Sequence, residues 1–512
     1  MFRDHTSRNR IFALFIFLTS LLLYVLTLAP TASFWDAGEF IAVAHGLQVT
    51  HPPGAPIYLW LGRMFSMFMH PLYVAWSINF LSALSSALTV MFLYLIIVRL
   101  IREWKGEIDN FSNGDLISLY GGGIMGALTF MVTDTFWFSA VEAEVYAISM
   151  FFTSLVVWLA LKWAEHHEEE HSERWLILIA YMFGLAVGIH LLNLLAIFFV
   201  ALIIYFKKNT FDWKSFAYTS LATVLIFLAI YPFTITVLPD FIDDVKASTY
   251  GLIGPLSFFM IIALTLVAGI YYTHKNNHYW ANLVMIGYAV ILIGYSSYSL
   301  VFIRSIADPP IDENDPEDVE SFVKYLKREQ YGQTPLFSGH SYDNEKEAID
   351  RENEKIFPRR YSNNGRHLKK YSEFSSDLDF FFSYQVNHMY LRYFNWNFIG
   401  RDSDIQDASW QSGFTETRNE DNPAHNSYFY IPFLIGLFGM LYHFQNDWRR
   451  AFSVFVLFFM TGLAIVIFLN QTPFQPRERD YAYVGSFFAF SIWIGMGATG
   501  LVDFLREFTK DN

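Results

Sequence analysis

The sequence predicts an all-α polytopic membrane protein, and three observations predict it. Of 512 residues, 54% are hydrophobic and only 16% charged, where a soluble chain carries about 25% charged residues to cover its surface. Aromatic residues reach 19%, and Trp and Tyr are enriched where helices meet the two membrane interfaces. The apolar residues also gather into about twelve stretches close to the roughly 17–25 residues that cross a hydrocarbon core. This composition excludes a disordered chain, a nucleic-acid-binding module and a plain cytosolic enzyme. The absence of cysteine excludes a disulfide framework, a thiolate zinc site and a Cys nucleophile.

The predicted spans lie near 11–30, 73–98, 117–135, 145–163, 175–190, 191–206, 215–238, 255–273, 282–303, 428–443, 451–470 and 483–503. The first follows Arg3, Arg8 and Arg10 as a signal peptide would. Its apolar core is longer than an h-region and no small-x-small cleavage site follows, so it reads as an uncleaved anchor. The fifth and sixth spans meet at a very tight junction holding His190 and Asn193.

Orientation follows from Lys and Arg in short loops. With the N-terminus inside, the clusters at Arg99/Arg102/Lys105, Lys162/Arg174, Lys207/Lys208/Lys214, Lys275, Arg449/Arg450 and Arg506/Lys510 all fall on the inner side. The segments 31–72, 136–144, 239–254, 304–427 and 471–482 then fall outside. The chain divides accordingly into a membrane module at 1–303, an external mixed domain at 304–427 and a second membrane module at 428–512.

In the external domain, Asp315-Pro316-Glu317-Asp318 reads as a helix start, with Asp as cap, Pro at the first position and acids in the first turn. Val319, Phe322, Val323 and Leu326 then form a stripe at helical spacing. The acidic run from Asp312 to Glu320 lacks the spacing and glycine of a calcium loop.

Chemistry concentrates at the outer ends of the spans. Asp36 and Glu39, three apart, share one helix face next to Trp35, just where the first span reaches the outer interface. Carboxylates that close to hydrocarbon are costly unless used or paired. They fit a general base tuned by partial burial, and equally an N-cap and N3 pair forming a capping box. His45 follows on the same segment. The run His51-Pro52-Pro53-Gly54-Ala55-Pro56 redirects the chain, with His51 either a turn residue or a proton-handling group.

Arg477 and Arg479, flanking Glu478 and followed by Asp480, put positive charge in a short external loop, against the orientation bias. A planar guanidinium pairs bidentately with phosphate, so an external anion such as a lipid phosphate would explain them. A local ion-pair cluster with Glu478 and Asp480 is the alternative. Glu142 and Glu144 occupy another short external loop, as binding groups or as a solvated turn. His190 and Asn193 are either site residues or a satisfied hydrogen-bonded pair.

His167-Glu168-Glu169-Glu170-His171 matches the H-E-x-x-H pattern of zinc proteases. It lies in a charge-rich inner loop with no third ligand nearby, so it reads as linker. Gly121-Gly122-Gly123 and Gly126 open a span and read as helix-packing positions.

Taken together, Asp36-x-Gly38-Glu39, Ala44-His45 and His51-Pro52-Pro53-Gly54-x-Pro56 resemble the signature of the transmembrane protein 260 family of protein O-mannosyltransferases. Glu142-Ala-Glu144-Val-Tyr146, Gly188-Ile-His190-Leu-Leu-Asn193 and Pro476-Arg-Glu-Arg-Asp-Tyr481 are similar to its bacterial branch. The resemblance covers roughly residues 10–500. It implies a GT-C glycosyltransferase bundle whose active site faces outward. The implied donor is a polyprenyl-phosphate sugar, with mannose as the sugar, and the acceptor a Ser or Thr hydroxyl on an exported protein.

Under that resemblance Asp36 is the base of an inverting transfer, and Glu39 and His51 orient it or the sugar. Arg477 and Arg479, joined by His190 or Arg401, stabilise the leaving phosphate. Glu144 and Glu142 line the acceptor side, and the external domain is a lid or acceptor dock. No cofactor is expected, although an acidic pair such as Asp36 and Glu39 leaves a divalent metal open. The implied location is a bacterial inner membrane, with a periplasmic site and membrane lipid as a partner. Bacterial members often continue into a soluble C-terminal region, so a chain ending at Asn512 reads as a shortened form or as the membrane module.

Two competing readings remain at this level. A transporter or flippase would show ionisable residues in mid-span and paired broken helices, whereas here the notable ones gather at span ends on one face. A GT-C transferase acting on a lipid or envelope glycan is not separated from the protein-directed one by any residue.

Overall fold

The structure is a computed structural model that describes residues 5–106, 108–249, 255–331, 338–415 and 419–510. The described residues are helical, with one two-stranded sheet among them. Among the described residues nine helices are long and apolar enough to cross a membrane. They are α1 (His5–Leu26), Pro71–Lys105, Val145–His166, Leu191–Lys208, Trp213–Ile235, Ser257–Lys275, Tyr279–Ser305, Ile431–Leu469 and Asp480–Thr509. A tenth is counted if Asn113–Met131 and Asp134–Ala140, bent by 70°, form one span.

The sequence expects about twelve, and the difference has two local causes. The helix over the predicted fifth span, Glu173–Val187, has only 15 residues. The predicted spans 428–443 and 451–470 both map to the stretch Ile431–Leu469, as two helices that fold back on each other: Phe433 from one and Phe458 from the other both pack on Phe490. The run Ile431–Met460 is broken by non-helical backbone at Asp447 (φ −149°, ψ 75°), inside the loop expected between those two spans.

The chain forms two compact units. The first comprises Met1–Ile16, Leu93–Phe138 and Gln333–Asn512. Its membrane part packs the Val484–Lys510 helix against Ile431–Met460 and against Asn113–Met131 through glycines. A Cβ on Gly439 would lie 1.8 Å from the Trp493 carbonyl oxygen, and one on Gly126 would lie 2.6 Å from that of Ser491. Small residues let membrane helices approach backbone to backbone, so Gly122 and Gly126 serve helix packing as their sequence context suggests. Gly439→Ala is expected to destabilise the protein by about 1–3 kcal/mol, because a carbonyl cannot move aside as a side chain can. Gly121, which faces open space, should tolerate Ala. Thermal unfolding of the two purified variants checks both.

At one end of this unit the basic clusters are tied by ion pairs. Lys105 meets Asp503 at 2.6 Å, Arg506 meets Asp115 at 2.7 Å, and Arg450 bridges Glu103 and Asp447. The polar part of the unit carries the antiparallel hairpin Ser338–Asp343/Ala348–Ile356. A small core of Tyr342, Tyr371 and Phe380 backs it. Buried Arg360 fastens that core by donating to Asp377 and to the Tyr371 and Phe374 carbonyls.

The second unit comprises Phe17–Phe92 and Ser139–Gly332. It holds α2 (Ala37–Gly46), α3 (Pro56–Ser66) and the helix Val145–His166 around one apolar cluster that includes Phe40, Tyr58, Ile78, Ile148 and Ile189. It also includes the acidic stretch 304–331. The helix expected to begin at Asp315-Pro316 begins instead at Val319. Asp318 caps it through a reciprocal pair with Ser321, while Asp315 takes a left-handed φ of 46° that a helix start does not use. Val323 and Leu326 of the predicted stripe are buried, together with Tyr325. The H-E-x-x-H match is not on a helix: the helix ends at His166, residues 167–172 form turns, and His171 has φ 61°.

Candidate active site

The second unit builds the first-loop cluster from α2 and the loop behind it. α2 ends at Leu47 in the left-handed region (φ 46°), with Gln48 N–H donating to the Val43 carbonyl. This closure turns the chain back and brings Thr50 and His51 to Glu39. The Glu39 carboxylate accepts from the Thr50 hydroxyl, from the His51 backbone N–H at 2.8 Å, and contacts His51 Nδ1 at 3.0 Å. Burial pushes the Glu39 carboxyl up, but the hydrogen bonds from His51 and Thr50 and the His51 charge hold it below its ordinary value. Burial likewise pushes the His51 imidazole down. The hydrogen bond and charge of Glu39, with the charges of Asp36 and Glu144, outweigh that and raise it.

Asp36 behaves differently. Its backbone is helical (φ −78°, ψ −8°) and its side chain makes no capping hydrogen bond to α2. A capping box needs an extended N-cap residue and an N3 side chain that reaches back, and here Glu39 reaches forward to residues 50 and 51. The capping alternative is therefore not what this pair forms.

His51 and Gly54 close a turn, with Gly54 N–H donating to the His51 carbonyl at 2.9 Å. Pro56 then opens α3, as its position after the turn suggests. Gly54 has φ +80°, and a Cβ there would lie 2.7 Å from the Tyr325 hydroxyl. Gly54→Ala is expected to cost about 1–2 kcal/mol from backbone conformation alone, read as a lower unfolding temperature.

Glu142 and Glu144 are buried, not solvated: they are 6% and 4% exposed. Ser33 donates to Glu142 at 2.5 Å. Both charges reach the fully buried Tyr58 hydroxyl and help hold that phenol protonated. Asp36, Glu39, Glu142 and Glu144 thus share one neighbourhood with His51 and Tyr58.

Other predicted residues separate from it. His45 sits nine residues beyond Asp36, about 13 Å along the helix axis, and pairs with Ser66 at 3.1 Å while Arg63 donates to its carbonyl. These contacts tie α2 to α3. Asn193 is buried, accepts from Ser149 and Thr153 and donates to the His190 carbonyl, which is the satisfied pairing weighed from sequence. His190 packs its ring on Tyr146 at 5.2 Å. Burial and the charge of Arg328 push its pKa down to about 4, so at neutral pH it carries no charge with which to meet a phosphate.

Sequence reasoning missed Thr50, Tyr58, Tyr325 and Arg328, none of which belongs to a short motif. Arg328 ends the Val319–Lys327 helix in a left-handed conformation and lies over the Tyr331 ring at 4.8 Å.

The first unit carries the arginines. Glu478 does not pair with its sequence neighbours. It binds Arg392 at 2.8 Å, accepts from the Tyr393 hydroxyl at 2.6 Å and accepts from the Asp407 N–H at 2.6 Å. Burial raises its carboxyl, and the Arg392 bond and charge more than offset this and hold it low. Asp480 accepts from Thr135. Arg477 and Arg479 instead converge on the Tyr481 hydroxyl, at 3.2 and 2.5 Å, and among the described residues Arg479 pairs with no carboxylate. Arg401 stacks on Trp396 at 4.2 Å and donates to the Ser403 carbonyl.

Residues 36–213 match the family described as the Protein O-mannosyl-transferase TMEM260 N-terminal domain, and the match opens on Asp36 itself. Over this stretch the chain is similar to the TMEM260 family. Asp36, Glu39, His45, His51, Glu142, Glu144, His190 and Asn193 all fall inside it; Arg401, Arg477 and Arg479 lie beyond. The chain is also 26% identical over 211 residues to Protein O-mannosyl-transferase tmem260 of Dictyostelium discoideum, covering 39% of this chain and 24% of that protein. It is 26% identical over 173 residues to the TMEM260 protein of Mus musculus, covering 34% and 22%. The similarity thus spans less than a quarter of the length of either relative.

Proposed function

We propose that this chain is a membrane glycosyltransferase. It moves a sugar, mannose, from a polyprenyl-phosphate donor to Ser and Thr hydroxyls of exported proteins at the outer face of a bacterial inner membrane. In this reading the helices form a GT-C-type bundle of about twelve spans, with the two stretches of 431–469 counted separately. The observation that carries it is the division of labour among the first-loop acids: Glu39 holds Thr50 and His51, while Asp36 and Glu144 place their charges on the same His51.

The chemistry follows from that division. A hydroxyl is a poor nucleophile at neutral pH, so a positioned base is needed. Asp36 takes the acceptor proton as the oxygen attacks the anomeric carbon from the side opposite the phosphate. The carbon–oxygen bond to phosphate breaks, and polyprenyl phosphate leaves as a stable anion that requires no strong acid. Arg477 and Arg479 of the first unit, held together by Tyr481, are the guanidiniums suited to bind a lipid phosphate. Glu142 and Glu144 serve the acceptor side. The named O-mannosyl-transferase relatives support this reading, and no metal is needed by it.

The test supplies purified protein in nanodiscs with either polyprenyl-phosphate mannose or a nucleotide sugar, a Ser/Thr peptide, and EDTA or none. Mass spectrometry should find hexose on the peptide from the lipid donor only, with EDTA present. Transfer solely to lipid, or from the nucleotide sugar alone, would overturn the protein-directed reading.

A further inference from the structure

We propose that Tyr325 is a positioning residue for the first-loop acids, acting through the Thr50 carbonyl to hold Thr50 and His51 against Glu39. The inference rests on the transferase reading for its catalytic consequence, and on geometry for the clamp itself.

The loop 47–54 is held along its length by the stretch 304–326 of the same unit. Arg304 Nε donates to the Leu47 carbonyl. The Ile311 N–H donates to the Gln48 side chain at 2.7 Å, and Val49 exchanges backbone hydrogen bonds with Ile311 and Glu313. The buried Tyr325 hydroxyl then donates to the Thr50 carbonyl at 2.5 Å. Tyr325 is only 1% exposed, and its hydroxyl fills the space that Gly54 leaves by having no side chain.

Thr50 therefore faces both ways: its carbonyl is fixed by Tyr325 and its hydroxyl donates to Glu39. A shift of residue 50 moves the His51 N–H and imidazole that bind the same carboxylate. Reacting groups need placement within fractions of an ångström, and a phenol buried outside the cluster supplies it here. The Asp318–Ser321 capping box fixes where the Tyr325 helix begins.

The groups whose charges act on His51 are Glu39, Asp36 and Glu144. Removing the Tyr325 hydroxyl loosens only the first of these contacts, so the His51 imidazole should titrate lower. The experiment uses the full chain in nanodiscs with ¹³C-labelled histidine, the His51 signal being assigned by its loss in His51→Gln. In Tyr325→Phe the His51 titration is expected to move down by about half a pH unit. Transfer is expected to fall about five- to tenfold in kcat, the scale of one buried hydrogen bond, with little change in KM for the donor. Thr50→Ala should move His51 the same way, and the double variant should move it by less than the sum, since both act through one contact.

An unmoved His51 in folded Tyr325→Phe, or strictly additive shifts, overturns the clamp whatever the transfer assay gives. A wild-type protein without transfer overturns the glycosyltransferase reading, and the His51 titration still decides the clamp.

Discussion

Asp36→Asn is expected to reduce sugar transfer by about 10²–10⁴-fold, the range lost with a positioned general base, while unfolding temperature stays within the small range of neutral substitutions. The separation of the two readouts is the point. Asn has the size and shape of Asp and serves as well at a helix start, so stability should hold. Glu39→Gln should behave in the opposite manner. It weakens the contacts to Thr50 and His51, so stability and activity should decline together and activity by less. Full transfer by folded Asp36→Asn would reduce that residue to a helix-start position.

Glu478→Ala should be the most destabilising single change at the arginine loop, at about 3–5 kcal/mol, the cost of breaking a buried ion pair by removing one partner. It strands the Arg392 guanidinium, the Tyr393 hydroxyl and the Asp407 N–H, all of which converge on that carboxylate. Replacing Arg392 and Glu478 together by Met and Leu should cost less, because no buried charge is then left over. The pair also sets a pH dependence. The folded state holds the Glu478 carboxyl low, so its contribution is present above the ordinary Glu value of about 4.3 and is lost as pH falls through the folded value. Thermal unfolding against pH should show wild type losing more stability than the Met/Leu variant in that acid range.

The membrane character of the fold was legible because span length and hydropathy are properties of single segments. Where helices end was less so: the break at Asp447 falls in the loop expected between two spans, but nothing in composition says that Glu173–Val187 stays short. The first-loop cluster was legible in part. The spacing of Asp36 and Glu39 fixed a shared face but left cap and base equally open, and the structure separates them through Thr50 and His51, eleven and twelve residues away.

The arginine loop carries the same lesson. Adjacent Arg and Glu at 477–480 invited a local ion-pair cluster, yet Glu478 is taken by Arg392, 86 residues upstream. Tyr325 was invisible because its partner is a backbone carbonyl 275 residues away, and no side-chain pattern marks such a contact. His190 looked like a cation for the phosphate by residue type, and burial together with the charge of Arg328 removes its charge.

The central claim is a one-base inverting transfer from a lipid phosphate to a protein hydroxyl. The anomeric configuration of the sugar on the product peptide, determined by NMR after wild-type transfer in EDTA, tests it most directly. The account predicts a configuration opposite to that of the donor. Retained configuration would require a covalent intermediate on a second carboxylate and would contradict the role given to Asp36.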